Sequence, residues 1–238
     1  RTDSEVLSVD REKKTIRVRN GCTGDVYEEH YDILVLSPGA NPIRPKSIEG
    51  VDRSNVFTVR NVTDIVNLKK FVTDCQIQDV AVVGGGFIGI EVAENLSMDG
   101  RHVSVIEAQD QIMAPFDYDM VQMLQKELLD HGVDVIVNDG VSAIGEESIT
   151  LASGKEVKAG MTVLAIGAAP ETGLAKAMGL ELGETGAIKV DHNYRTSDPD
   201  IYAVGDAIEV FNRLTHKPSR LALAGPAQRQ ARAAADHM

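Results

Sequence analysis

Apolar and polar residues alternate at the start of the chain. Glu5–Asp10 and Thr15–Arg19 change character at every second position, the period of a half-buried strand, and polar Arg11–Lys14 predicts a tight turn between them. Asn20-Gly21 and Gly24-Asp25 mark a second turn, after which Val26–His30 returns as a third strand. Tyr31-Asp32-Ile33-Leu34-Val35-Leu36 is almost continuously apolar, the pattern of a buried parallel strand, and ends in Ser37-Pro38-Gly39-Ala40. Asn41–Val51 carries Pro42 and Pro45 and is expected to be a linker. At Asn61–Val72 the period becomes helical, with Ile65, Leu68 and Val72 on one face.

Asp79-Val80-Ala81-Val82-Val83 is a short β-branched run, followed by a glycine turn, a helical pattern and a second run, His102–Ile106, ending at Glu107. Together they predict one βαβ unit. Asp117 is a candidate helix cap after Pro115. Met120, Leu124 and Leu128 stripe the helix that follows and are expected to be core, and Gly132 closes it. Val133–Val137 predicts a third parallel strand, Val141–Lys158 a meander turning at Gly145-Glu146 and Ser153-Gly154, and Met161–Ile166 a further buried strand ending in Gly167-Ala168-Ala169-Pro170. Glu171–Gly179 is a short helix or loop. Thr196–Ala207 is a strand that ends in Gly205-Asp206, Phe211–Arg220 a polar loop, and Ala222–Met238 an alanine-rich helix. The class is α/β: a Rossmann-like domain with a parallel sheet and a β-meander.

The glycine turn supplies the candidate chemistry. Gly84-Gly85-Gly86-Phe87-Ile88-Gly89 fills the G-x-G-x-x-G frame, and Glu107 lies 23 positions after Gly84, close to the ~20-residue spacing of a ribose-binding acid in dinucleotide sites. Gly84 allows a tight exit from the strand, Gly86 lets backbone approach a pyrophosphate, and Gly89 lets the helix pack on the sheet. Amides near Phe87 and Ile88 at the helix start would face the phosphates, aided by the helix dipole. The Glu107 carboxylate can accept from both ribose hydroxyls and would repel a 2′-phosphate, so the pattern predicts NADH rather than NADPH.

Composition narrows the partners. The chain has 238 residues, 43% hydrophobic and 25% charged, with a formal charge of −12. That balance argues against nucleic acid or an anionic membrane, and no apolar run approaches the ~20 residues that span a bilayer. Cys22 and Cys75 form no C-x-x-C and no metal-like spacing. With no leader pattern read at the start, a reducing, cytoplasmic location is expected. A chain beginning at Arg1, without Met, is expected to be a fragment of a longer polypeptide.

Tyr31–Ala40, Asp79–Glu107 and Thr196–Ala207 together resemble the FAD-dependent pyridine nucleotide–disulfide oxidoreductases. Gly85-Gly86-Phe87-Ile88-Gly89-Ile90-Glu91 and Leu223-Ala224-Gly225-Pro226-Ala227 are similar to the coenzyme A-disulfide reductase and NADH-dependent persulfide reductase branch. The resemblance implies an NAD(H)-binding domain inserted in a partial FAD-binding domain, with residues 1–60 and 191–238 as flavin-domain segments and 61–190 as the insert. It implies that Asp206 bonds the FAD ribityl chain, that Leu223 and Ala224 start a helix aimed at the flavin edge, and that Ser37 and Gly39 pass close to FAD. Phe87, Glu91 and Gly167 fall at positions near the nicotinamide. Hydride would pass from NADH to flavin and then to a small disulfide or persulfide acceptor, in an enzyme that is a homodimer at full length. The family's first FAD segment, its redox cysteine and its dimerisation domain have no counterpart here, so no catalytic residue is assigned. Ala169, Gln228, Ala231 and Ala222 depart from the family's usual Arg, Asn, Gly and Pro. Alternatives are an NADH oxidase or peroxidase, a reductase of an iron–sulfur carrier, or a non-catalytic NADH-binding regulatory module.

Overall fold

The computed structural model describes all residues, 1–238. β1 (Ser4–Asp10), β2 (Thr15–Asn20) and β3 (Val26–His30) form an antiparallel sheet in the order β1-β2-β3, as the alternation predicts. β4 (Leu34–Leu36) is parallel, but it is not buried throughout: Leu36 is buried while Val35, which points to the opposite face, is exposed. β5 (Ala40–Pro42) opens the stretch expected to be a linker. That stretch is packed structure instead. Ile48 and Val51 are buried in a core cluster, and the Arg44 guanidinium donates to the Val51 and Val56 carbonyls. Two apolar residues after Pro45 were enough to anchor it.

β6 (Val56–Thr58), which the pattern did not signal, leads to α1 (Val62–Asp74). A reciprocal capping box starts α1: the Asn61 side chain accepts from the Asp64 amide and the Asp64 carboxylate from the Asn61 amide. β7 (Asp79–Val83), α2 (Phe87–Met98) and β8 (His102–Ile106) are the expected βαβ unit. α3 (Tyr118–Asp130) follows Asp117 and is closed by Gly132 at φ +76°. Val121 and Leu128 are its buried residues, whereas Met120, expected in the core, is 54% exposed because it lies on the solvent face of the first turn. β9 (Asp134–Ile136), the meander β10 (Val141–Ile144), β11 (Ser148–Leu151) and β12 (Glu156–Lys158), and β13 (Met161–Leu164) complete the insert.

Strands β6-β13-β7-β8-β9 form one five-stranded sheet whose pairs are all parallel. Side chains leave it alternately on two sides. Val80, Val82, Val103, Val105, Met161 and Val163 pack with the three helices, while Ala81, Val83, Ile106 and Leu164 pack with the meander. Burial on both faces explains why these strands are continuous apolar runs.

β14 (Ala168–Pro170) pairs with β5, and α4 (Gly173–Ala177) and β15 (Ile188–Lys189) follow. β16 (Ile201–Ala203) lies parallel to β4 in the register Leu34–Ile201, Val35–Tyr202 and Leu36–Ala203. A 3-10 turn at Gly205–Ala207 leads into β17 (Ile208–Asn212) and β18 (Lys217–Ser219), then α5 (Ala224–His237). The region expected to be a polar loop is thus a hairpin. Asn212 turns it by accepting from the Leu214 and Thr215 amides, and its polar residues face solvent, leaving little apolar period to read.

The chain divides into two compact units: Pro42–Ala168, and Arg1–Asn41 with Ala169–Met238. β6 belongs to the central sheet, and Leu174, Ala175, Met178, Leu180 and Ile188 pack with Leu36 and Ile201. No helix is long and apolar enough to cross a membrane.

Where α2 meets β7, a Cβ built on Gly89 would stand 1.9 Å from the Gly84 carbonyl oxygen. Gly89→Ala should therefore cost about 1–3 kcal/mol through forced displacement of α2. Denaturant unfolding checks this, and an unchanged midpoint would contradict the packing described.

Candidate functional site

Parallel pairing puts the carboxyl ends of β6, β13, β7 and β8 at one edge, where open α/β sheets bind ligands. Gly84 leaves β7 with φ +107°, and a Cβ there would lie 2.5 Å from the Ala165 carbonyl oxygen. Its amide donates to the Ile106 carbonyl at 2.8 Å. Gly85 is pressed against Ile112, whose Cγ2 would be 2.6 Å from an added Cβ, and its carbonyl accepts from the Met113 amide at 2.7 Å. Gly86 caps α2 with extended backbone and no side-chain cap, and an added Cβ would meet nothing within 4 Å. Gly84 is held to glycine by its backbone and its packing and Gly85 by packing alone, while Gly86 faces open space. The first amides of α2 have no partner within the helix, so this open side carries hydrogen-bond donors and the positive end of the dipole.

Glu107 follows β8 and reaches back to the turn. One carboxylate oxygen accepts from the Gly85 amide at 2.7 Å and the other from the Gln109 amide at 2.8 Å. A carboxylate offers about four acceptor positions, so two remain for hydroxyl donors. The acid therefore holds the glycine turn and keeps acceptor positions free beside it. The sequence pattern did not reveal this bracing, nor the role of Ile112 and Met113; a positive φ of 48° at Met113 marks how tightly that segment folds against Gly85.

Phe87 and Ile88 open α2 and are 54% and 48% exposed, with the Phe87 ring edge-on to Phe116 at 5.9 Å between centroids. Glu91 is exposed one turn on. Ile88 and Glu91 line a groove of about 700 Å3 with Ile65, Leu68 and Lys69 of α1. Gly167, after β13, has φ +108°, and its carbonyl accepts from the Ile43 amide at 3.0 Å. Space does not require glycine there, since an added Cβ would lie 3.7 Å from Ile43; the backbone conformation does.

The second group of candidate residues lies in the unit containing β4 and β16. The Val204 amide donates to the Leu36 carbonyl at 3.0 Å, which sets exposed Ser37 beside the Gly205-Asp206 turn. Gly39 has φ +75°, and its carbonyl accepts from the Glu171 amide at 2.9 Å. Gly205 has φ +82°, and Asp206 occupies the centre of the 3-10 turn, partly exposed. α5 begins with Leu223 as an extended, uncapped N-cap, 52% exposed, and Ala224 as its first helical residue. The first turn of α5 packs on Gly205: the Ala227 Cβ is 3.9 Å from a Cβ added there. The Gly205 amide donates to Gln230 Oε1 at 2.8 Å. Gln230 escaped the sequence reading, although a glutamine spaced between Ala227 and Ala234 on one helical face was a readable signal.

Neither cysteine sits in either group. Both are exposed free thiols. Cys22 Sγ donates to the Asp3 carboxylate at 2.9 Å, and this hydrogen bond, with slight burial, raises its pKa and suppresses the thiolate.

A family model described as pyridine nucleotide-disulphide oxidoreductase matches residues 1–231. The chain is 33% identical, over all 238 residues, to a coenzyme A disulfide reductase of Staphylococcus epidermidis, and spans 53% of that protein's length. Among solved structures, 98% of the chain superposes on 42% of reduced Bacillus anthracis CoADR-RHD with a TM-score of 0.95 and 43% identity. It also covers 43% of a NAD-dependent persulfide reductase from A. fulgidus with a TM-score of 0.93 and 33% identity. The chain thus spans about half of the curated relatives it matches. Across nearly its whole length, in sequence and in backbone, it belongs to the pyridine nucleotide-disulphide oxidoreductase family.

Proposed function

We propose that this chain is the NADH-binding portion, with flanking flavin-domain segments, of a FAD-dependent oxidoreductase that reduces a small disulfide or persulfide acceptor. The observation that carries the reading is the turn at Gly84–Gly89: tightly packed at Gly84, Gly85 and Gly89, open at Gly86, and braced by an acid. Gly84, Gly85, Gly86, Phe87, Ile88 and Gly89 would hold the pyrophosphate through backbone donors, and Glu107 would accept from the ribose. Phe87, Glu91 and Gly167 would border the nicotinamide half. Ser37, Gly39, Asp206, Leu223 and Ala224 would contact FAD, with the uncapped start of α5 favouring negative charge on its edge. The flavin, when bound, supplies the hydride-accepting chemistry.

The acceptor class is taken from the coenzyme A disulfide and persulfide reductases the chain resembles. The acceptor cysteine is assigned to no residue of this chain. Domain limits of 1–60, 61–190 and 191–238 divide the nucleotide roles, a homodimer is the proposed full-length assembly, and the cytoplasm the proposed location.

Anaerobic titration of the full-length protein tests the reading. NADH should abolish the visible absorbance of bound flavin. Gly86→Ala should keep stability within about 1 kcal/mol, as alanine at an N-cap costs little more, yet raise the NADH dissociation constant about tenfold or more by filling the open side. A protein with no flavin, or a Gly86→Ala variant that binds NADH normally, would contradict it.

Glu107→Ala removes the sugar acceptor and the brace on Gly85 together. NADH affinity should fall about tenfold or more, the worth of at least one charge-assisted hydrogen bond, and the preference over NADPH should shrink. Unchanged titrations with both nucleotides would refute the assignment.

A further inference from the structure

We propose that Gln230 is a positioning residue for the flavin site, setting the Gly205-Asp206 turn through its hydrogen bond to the Gly205 amide. The inference rests on the flavin reading above and assigns the device that aims Asp206.

α5 docks through Ala227, Gln230 and Ala234, spaced three and four apart and so on one face. Ala234 is 1% exposed and packs with Tyr202 and Val204 at the end of β16. At the far end of the helix, the Tyr202 hydroxyl meets His237 Nδ1 at 2.9 Å. Small residues bring the helix backbone close to the strand end. Between them sits a glutamine only 5% exposed. A buried side-chain amide is unfavourable unless bonded, and packing alone would be served by an aliphatic residue. The bond it makes is specific: Oε1 accepts from the Gly205 N–H at 2.8 Å.

That N–H opens the 3-10 turn at a glycine with φ +82°, a residue with no side chain of its own to fix its conformation. Asp206 is the next residue, so Gln230 anchors the Val204–Gly205 peptide from which the chain turns to present its carboxylate. The carboxylate itself has no part in docking α5. Gln230 therefore acts through Gly205 and Asp206, and touches no cofactor in this assignment.

The test compares the full-length wild type with Gln230→Met, which keeps length without an acceptor, and Gln230→Glu, which keeps an acceptor oxygen at the same reach. Two quantities are read: the FAD dissociation constant, and hydrogen–deuterium exchange over Val204–Asp206. Gln230→Met should weaken FAD about tenfold, the effect of losing one buried hydrogen bond, and speed exchange in that segment, with NADH affinity unchanged. Gln230→Glu should stay within about threefold of wild type in both. If Gln230→Met does not fold, Gln230→Asn, one methylene short of the amide, should give the same two losses. FAD binding and exchange equal to wild type in the acceptor-less variant, or Glu failing as far as Met, would overturn the proposal. A wild type with no affinity for FAD would overturn the flavin reading with it, and that outcome is distinct from a wild type that binds while the variants bind equally well.

Discussion

The insert depends on how closely one helix can approach the end of one strand. Gly89 places its Cα where a methyl group would overlap the Gly84 carbonyl oxygen, and Gly84 turns through a conformation that L side chains resist. With those two positions small, α2 starts directly over the end of β7, and its first amides point outward at the sheet edge. The proposed pyrophosphate contacts follow from that approach. The helix dipole, the uncapped Gly86 and the return of Glu107 to Gly85 all presuppose it. A larger residue at either position would move the donors as a group rather than remove one of them.

Rigidity behind the turn comes from a sheet buried on both sides. β7 contributes Val80 and Val82 to the helical layer and Ala81 and Val83 to the meander layer, all at most 5% exposed. The loops at the carboxyl edge therefore rest on strands that have no free face. In the other unit the same logic is applied on a smaller scale. A single parallel pair, β4 and β16, delivers Ser37 and Gly205-Asp206 side by side, and α5 closes over the turn. The exposed Val35 of β4 and the exposed Leu223 at the start of α5 leave apolar surface on this unit.

Much of this was legible in the chain itself, for a physical reason. Strands buried on both sides must be apolar throughout, and a turn packed as closely as this one needs glycines at fixed positions, so β7, β8, β13 and the turn were readable residue by residue. Elements whose stability comes from partners distant in sequence were not. β6 is only three residues long and owes its place to pairing with β13, more than a hundred positions away. Ile48 and Val51 looked like spacer residues until the meander covered them. The β17–β18 hairpin has a polar composition because its outer surface faces water. Met120 fell on the helical stripe, but the buried face of α3 runs through Val121 and Leu128, seven positions apart, and Met120 lies outside it. Of the candidate site, the backbone-dependent part was readable and the supporting bonds were not. The sequence shows an acid after β8, but only the structure shows that it holds Gly85, and only the structure pairs Gln230 with Gly205.

The measurement that bears most directly on this account is backbone amide exchange of the protein with and without NADH. Nucleotide should slow exchange at Gly86–Gly89 and around Glu107, while the meander β10–β12 remains as it was. Protection confined to other segments, or none at saturating NADH, would contradict the assignment of the glycine turn as the site that grips the pyrophosphate.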